Sequence, residues 1–449
     1  MRKILFFLLI ILNGIKISSK AQTWATIDSL LTNNLGKFNN ALVAMVMHND
    51  SLVYYRTFGG YDSTTVKGIA SLTKTFSGAV ILRLSQEGYI NLDDSIGMYI
   101  PYATQMRKGS STIRQNFSHT AGWDGITGNT YLTDPTLTME QCVDSIITYD
   151  PIIYTPGTMF KYTGVSMQIA ARAAEVATGD NWNDLWTEKI KTPLGLNSTQ
   201  FGVINNPRVA GGLASSPADI IRLARFILSN GKNTNGVQVV DSNLMQELWK
   251  DQTNKAPVIA APYTIHPLYN NPYNADTIRY GIGTWLDIYN LIKNYQEQIS
   301  GGGAFGSIMW INRCNNTCGV VFTYSTYTKV WETTFQVMDV VNSIYPNQCY
   351  TTKIENSENT IPSEYKLLQN YPNPFNPTTK IEFDLPKSEN VKIEIFDILG
   401  RKKEVLLDKR LSIGTHHIIF NGNNYSSGIY FYRLTTDSYS DTKKLLLLR

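Results

Sequence analysis

The chain reads as an α+β domain, an antiparallel sheet flanked by helices with a mostly helical subdomain inserted, followed by an all-β Ig-like sandwich. Three features predict this. Two strand-like runs at 41–47 and 52–58 meet at Asn49-Asp50, a strong hairpin signal. A long helical middle follows, then strands near 305–325 and a closing helix. Beyond a polar stretch at 351–364, short alternating strands replace the helical periodicity. The 449 residues are enough for about two to three domains with a large core.

At the start, Arg2 and Lys3 precede an apolar run at 4–12, then polar residues and Ser19-Lys20-Ala21. That run is too short to span a bilayer, so residues 1–21 read as a cleaved secretory signal. No cysteine near the cleavage point invites a lipid, and no later stretch is long and apolar enough for a transmembrane helix. A short helix is expected at 24–34. The next helix, 70–86, carries apolar Leu72, Phe76, Val80, Ile81 and Leu84 and closes at Gly88. Further helices are expected at 139–148, 165–178, 182–190 and 217–229, punctuated by Gly179, Gly195 and Gly231. Residues 252–279, rich in Pro, Tyr and Asn, read as a long loop over a site, where specificity would lie. A helix bearing Trp331, Phe335, Met338, Val341 and Ile344 closes the domain at about 350. The linker at 351–364 leads to strands at 379–385, 391–397, 415–421, 428–436 and 441–448 in a second domain, 365–449.

Net charge is only +4, with no basic stripe, which argues against nucleic-acid binding. Four cysteines in an exported chain allow three pairings. Cys314 and Cys318 flank what looks like a hairpin tip and are the candidate pair, while Cys142 and Cys349 stay unassigned. No cysteine or histidine set has zinc-ligand spacing, so no metal or other cofactor is expected.

Ser71-Leu72-Thr73-Lys74 places a hydroxyl and an amine one helical turn apart, ahead of an apolar helix. A lysine so placed can take the proton of the serine and make it a nucleophile. The spacing alone is weak, because Ser-x-x-Lys recurs at Ser229–Lys232, Ser363–Lys366 and Ser440–Lys443. The surroundings separate the first copy. Gly88 to Asp94, Ser118-His119-Thr120-Ala121-Gly122, Gly157 to Tyr162 and Ala210 to Asp219 follow in order. Together these segments resemble the penicillin-recognising serine hydrolases, which group class C β-lactamases, D,D-peptidases, D-aminopeptidases and family VIII esterases. The resemblance runs from about 28 to 346 and implies the sheet-plus-helical-subdomain fold.

It also implies roles. Ser71 would be the nucleophile, Lys74 its base, and Tyr162 would share the proton. Ser71 N–H and Gly303 N–H would form the oxyanion hole, with Gly301, Gly302 and Gly164 lining the substrate. His119 reads as structural, packed behind the site. Two departures stand out. Gly164 replaces the asparagine of the family's Tyr-x-Asn, removing an amide partner for lysine and for an amide substrate. Ser300, ahead of the glycine run, replaces the usual cation, histidine or tryptophan, so it cannot draw a substrate carboxylate as lysine does. Both tilt the expected substrate toward a small ester or amide, ahead of a D-amino-acid peptide or a β-lactam. The rival of another class is a surface-displayed binding module with a decayed hydrolase site.

The last 85 or so residues carry Asn370 to Thr379, Phe396 to Arg401 and Gly428 to Tyr432. They resemble the type A sorting domain of the type IX secretion system. This implies export across the outer membrane of a Gram-negative cell to the surface or medium, with that machinery as partner. A carbohydrate-binding or adhesive β-module is the alternative.

Overall fold

The computed structural model describes residues 19–202, 205–261, 279–290, 295–345, 347–350, 364–411 and 414–448. Most of the expected signal, linker and 252–279 loop therefore lies outside the described residues. The chain divides into two compact units, one of Met1–Tyr289 with Gln296–Tyr350, the other of Asn290–Tyr295 with Thr351–Arg449.

In the first unit, β1 (Leu42–His48) and β2 (Ser51–Phe58) form the expected hairpin. Asn49 and Asp50 both take positive φ, 47° and 65°, the left-handed pair a tight two-residue turn demands. Four more strands complete the sheet: β3 (Trp285–Asn290), β4 (Tyr295–Gly302), β5 (Ile308–Asn312) and β6 (Thr317–Thr323). Their order is β2-β1-β6-β5-β4-β3. The sheet is covered on both faces, which is why central strands such as Leu42 to Val46 read as continuous apolar runs. Leu42, Ala44 and Val46 pack with Ile27 and Leu31 of α1 (Ser19–Asn33), and with residues of the helix that closes the unit, Tyr327–Ile344. Val43 and Met45 point the other way, toward α2 (Thr73–Gln86) and the helical subdomain. That subdomain includes α3 (Met139–Tyr149) and α4 (Val165–Thr178), whereas α5 (Pro217–Leu228) packs on β1, β5 and β6 of the sheet. The closing helix is α6.

The expected Cys314–Cys318 bridge is not formed; Cys314 pairs with Cys349, their Cα atoms 5.0 Å apart. Side-chain direction explains the difference. Cys318 lies inside β6 and points with Val320 and Phe322 into the core shared with α2, whereas Cys314 sits in the turn before the strand. Cys318 and Cys142 are buried free thiols.

In the second unit, β7 (Lys366–Leu367), β8 (Thr378–Leu385) and β11 (Gly414–Asn421) form one antiparallel sheet. The other runs in the order β10 (Lys402–Leu411), β9 (Glu389–Asp397), β12 (Gly428–Thr436) and β13 (Ser440–Leu447). Ile381, Phe383 and Phe420 of the first meet Ile393, Ile395 and Leu434 of the second in one core, the expected all-β sandwich. Strand β10 was not expected. It is a charge-rich sheet edge, mostly exposed, so it lacks the alternation by which half-buried strands are read.

Candidate active site

The nucleophile candidate sits where a short 3-10 turn, Ala70–Leu72, runs into α2. Ala70 takes φ 45°, a left-handed conformation that costs a non-glycine residue energy and is kept where the surroundings enforce it. They do so here. Ile69 N–H donates to Leu213 O at 2.9 Å and Leu72 N–H to Ile69 O at 3.2 Å. A β-carbon on Gly303 would lie 2.0 Å from Ile69 O, and one on Gly301 2.7 Å from Leu72 and Thr75. The glycine run of β4 is thus what allows the strand to press against the turn that holds Ser71.

Helix α2 is buried almost all round, Thr73 to Leu82 without a break, so Lys74 has no water-facing side to escape to. Its Nζ lies 3.2 Å from Ser71 Oγ, and donates to Ala210 O at 2.8 Å. Burial, helped by the nearby charge of Arg208, pulls the amine down to about 7. When Lys74 is neutral the short contact can run the other way, Ser71 O–H donating to the nitrogen lone pair. The same nitrogen stands 4.5 Å from the centre of the Tyr162 ring. Tyr162, far away in sequence, therefore shares one cluster with Ser71 and Lys74.

Tyr162 is held by backbone and by stacking. Its N–H donates to Ala260 O, Lys161 N–H donates to His119 O, both at 2.9 Å, and Trp285 stacks on its ring at 5.2 Å. His119 lies behind it, ring centres 4.3 Å apart, with Nδ1 accepting from Thr163 N–H at 3.4 Å. Burial, then the charge of Lys74, holds the imidazole well below its ordinary value, so it is neutral. This is the packing place expected for it.

Two sequence expectations need correction. Gly303 N–H is not open to substrate: it donates to Ser307 O at 3.0 Å, closing the β4–β5 hairpin. Antiparallel partners alternate in direction, so Gly302 N–H, one residue back, leaves β4 by the opposite edge. Ser300 does not stand in for a site cation. It shares a face with Gln298, which touches Met338 of α6, and its hydroxyl donates to Asp287 at 3.0 Å. Burial pushes the Asp287 carboxyl up to about 7, against hydrogen bonds from Ser300 and Gln298. The residue of β4 facing Leu72 and Thr75 is Gly301, which has no side chain to offer. Gly164 caps α4, and a β-carbon on it would meet Leu132 and Ala210. The amide missing there is replaced, for Lys74, by the Ala210 carbonyl.

Sequence reasoning missed what positions that carbonyl. Gln168 of α4 is wholly buried. Its amide nitrogen donates to Asn206 Oδ1 and Pro207 O, both at 2.9 Å, and its oxygen accepts from Val209 N–H at 3.0 Å. Ser77 donates to Val209 O at 2.7 Å, and Leu213 N–H donates to Thr73 Oγ1 at 3.1 Å. Segment 206–213 is thereby strapped to both α2 and α4. A glutamine inside an apolar helix face was the available signal, since a buried amide requires partners.

A family model described as Beta-lactamase matches residues 37–341, and one described as Secretion system C-terminal sorting domain matches 369–448. The first covers more than half of the chain, which therefore belongs to the β-lactamase family, a family of serine hydrolases, and ends in a type IX sorting domain. A β-lactamase candidate from Bacteroides dorei, 26% identical, has a TM-score of 0.62 over 71% of this chain and 98% of that one. EstCE1, a hydrolase with promiscuous acyltransferase activity, shares the fold at 15% identity, TM-score 0.57, over 71% and 98%. Protein flp of Staphylococcus aureus strain N315 is 26% identical over 40% of this chain, which spans only 39% of its length. Lovastatin esterase of Penicillium rubens is 22% identical over 64% of this chain and 88% of its own.

Proposed function

We propose that the protein is a secreted serine hydrolase that acts on a small ester or amide through a covalent acyl-enzyme. One observation carries this reading: a buried amine titrating near neutrality, 3.2 Å from a serine oxygen at a helix mouth. Ser71 Oγ attacks the substrate carbonyl carbon while its proton passes to neutral Lys74. The carbonyl oxygen, now anionic, meets the N–H of Ser71 at the helix mouth. Collapse expels the alcohol or amine, which takes the proton back from Lys74, and Tyr162 shares this transfer. Water then attacks the acyl-enzyme and passes a proton to the same base, which returns it to Ser71 Oγ as the acyl C–O bond breaks and the acid leaves. No step requires a cofactor.

An ester is favoured over a D-amino-acid peptide or β-lactam. Gly164 offers no side-chain amide to a peptide-like substrate, and lovastatin esterase matches over most of its own length. The apolar run at 4–12 and the sorting domain support passage through the type IX machinery to the surface or medium of a Gram-negative cell. In this reading residues 1–21 are the signal, 22–350 the hydrolase, 351–364 the linker and 365–449 the sorting domain.

The test is intact-mass analysis after exposure to a fluorophosphonate, a p-nitrophenyl ester and penicillin. We expect one adduct from the fluorophosphonate, mapped to Ser71 and absent from Ser71→Ala, and turnover of the ester. Equal labelling of Ser71→Ala would refute the assignment. No labelling and no turnover would favour a binding module with a decayed site.

A further inference from the structure

The wall of the site opposite β4 carries a cation that none of the chemistry above uses. Arg208 precedes Ala210, whose carbonyl holds Lys74, and its side chain is exposed. A β-carbon on Gly211 would touch both the Ala70 carbonyl carbon, at 3.8 Å, and Arg208 Nη2, at 3.9 Å. The guanidinium thus stands within two van der Waals contacts of the residue before Ser71. Its field reaches Lys74. Among the described residues no carboxylate pairs with it and no carbonyl accepts from it. Its backbone, in contrast, is fixed: Arg208 O accepts from Gly211 N–H at 3.0 Å and Gly212 N–H at 2.7 Å. Gln168 grips the residues on either side, at Pro207 and Val209.

An anchored, solvent-facing guanidinium beside a nucleophile has the form of an anion receptor. Arginine's planar fork binds a carboxylate through two parallel N–H bonds and keeps its charge at every working pH. We propose that Arg208 is a specificity-determining residue that binds a carboxylate of the substrate, so that the favoured ester or amide is an anionic one. This rests on the serine-hydrolase reading and deepens it. It also reverses one inference drawn from the sequence. The loss of a cation at Ser300 argued against carboxylate substrates, but the positive charge is supplied from segment 206–213.

Matched esters that differ only in charge test this on the full chain. One pair, 4-acetoxybenzoate and its methyl ester, carries the charge on the leaving group. The other, phenyl hydrogen suberate and methyl phenyl suberate, carries it on the acyl group. The readout is the ratio of kcat/KM for the charged over the neutral member, in wild type, Arg208→Gln and Arg208→Lys. A ratio cancels any change that the variants cause in Lys74 basicity or in folding yield. We expect wild type to favour the charged member of one pair, and Arg208→Gln to lose about 10- to 100-fold of that ratio. Arg208→Lys should restore part of it, and added salt should erode it. Ratios that are equal in wild type and Arg208→Gln overturn the proposal, even if both pH profiles move, because Arg208 would then act only on Lys74. Turnover of neutral esters with no charge preference overturns it while leaving the hydrolase intact. If no ester turns over and Ser71 takes no fluorophosphonate, both readings fall together.

Discussion

Replacing Lys74 by methionine separates what the buried amine does for chemistry from what it costs the fold. An amine at the ordinary 10.5 is neutral in about 3 of 10,000 molecules at pH 7, whereas one at about 7 is neutral in about half. Burial therefore raises the supply of competent base on the order of 10³-fold. The rate of Ser71 modification by a fluorophosphonate should climb with pH and level off, with a midpoint near 7, and should collapse in Lys74→Met. The stability sign runs opposite to that of a stabilising pair. Between about 7 and 10.5 the unfolded chain binds a proton that the folded chain does not, so stability rises with pH across that window. Below it the folded protein carries the full cost of a buried charge, about 5 kcal/mol. Methionine fills similar space without charge, but orphans the Ala210 carbonyl at a cost of about 1–3 kcal/mol. Lys74→Met should therefore be about 2–4 kcal/mol more stable than wild type at pH 6, an advantage that disappears by pH 10. Urea melts at pH 6, 8 and 10 measure this. A rate limb near 10, or a stability difference that does not shrink with rising pH, would refute the reasoning.

Two further outcomes follow from packing. Native protein should resist maleimide, because Cys142 and Cys318 are buried; denaturation without reductant should expose two thiols, and Cys349→Ser should cost about 3–4 kcal/mol for a cross-link spanning 35 residues. Gly303→Ala should push β4 away from the Ile69 carbonyl, lowering stability by about 1–3 kcal/mol and slowing Ser71 labelling at least about tenfold; normal labelling would show that the strand need not lie so close.

Much of the fold was legible because local chemistry and tertiary demand agree. Asn49-Asp50 can form only a tight turn, α2 and α6 carry strong apolar periodicity, and β8 alternates residue by residue between core and solvent. Where an element is shaped by its surroundings the sequence was silent. Strand β10 looks like a polar loop, and β3, Trp-Leu-Asp-Ile-Tyr-Asn, lacks residue-by-residue alternation.

For the site, the chain alone determined which side chains bear chemistry: Ser71 and Lys74 are bound to one helical turn by spacing, and Tyr162 by its motif. Direction and environment were decided only by the tertiary structure. A one-residue step along β4 turns Gly303 N–H into the hairpin and Ser300 toward α6, and no composition reveals that parity. The basicity of Lys74, the pairing of Cys314 and the exposure of Arg208 likewise depend on which distant segments come near. Burial and electrostatic fields belong to the space around a residue, and that space is filled by chain far away in the sequence.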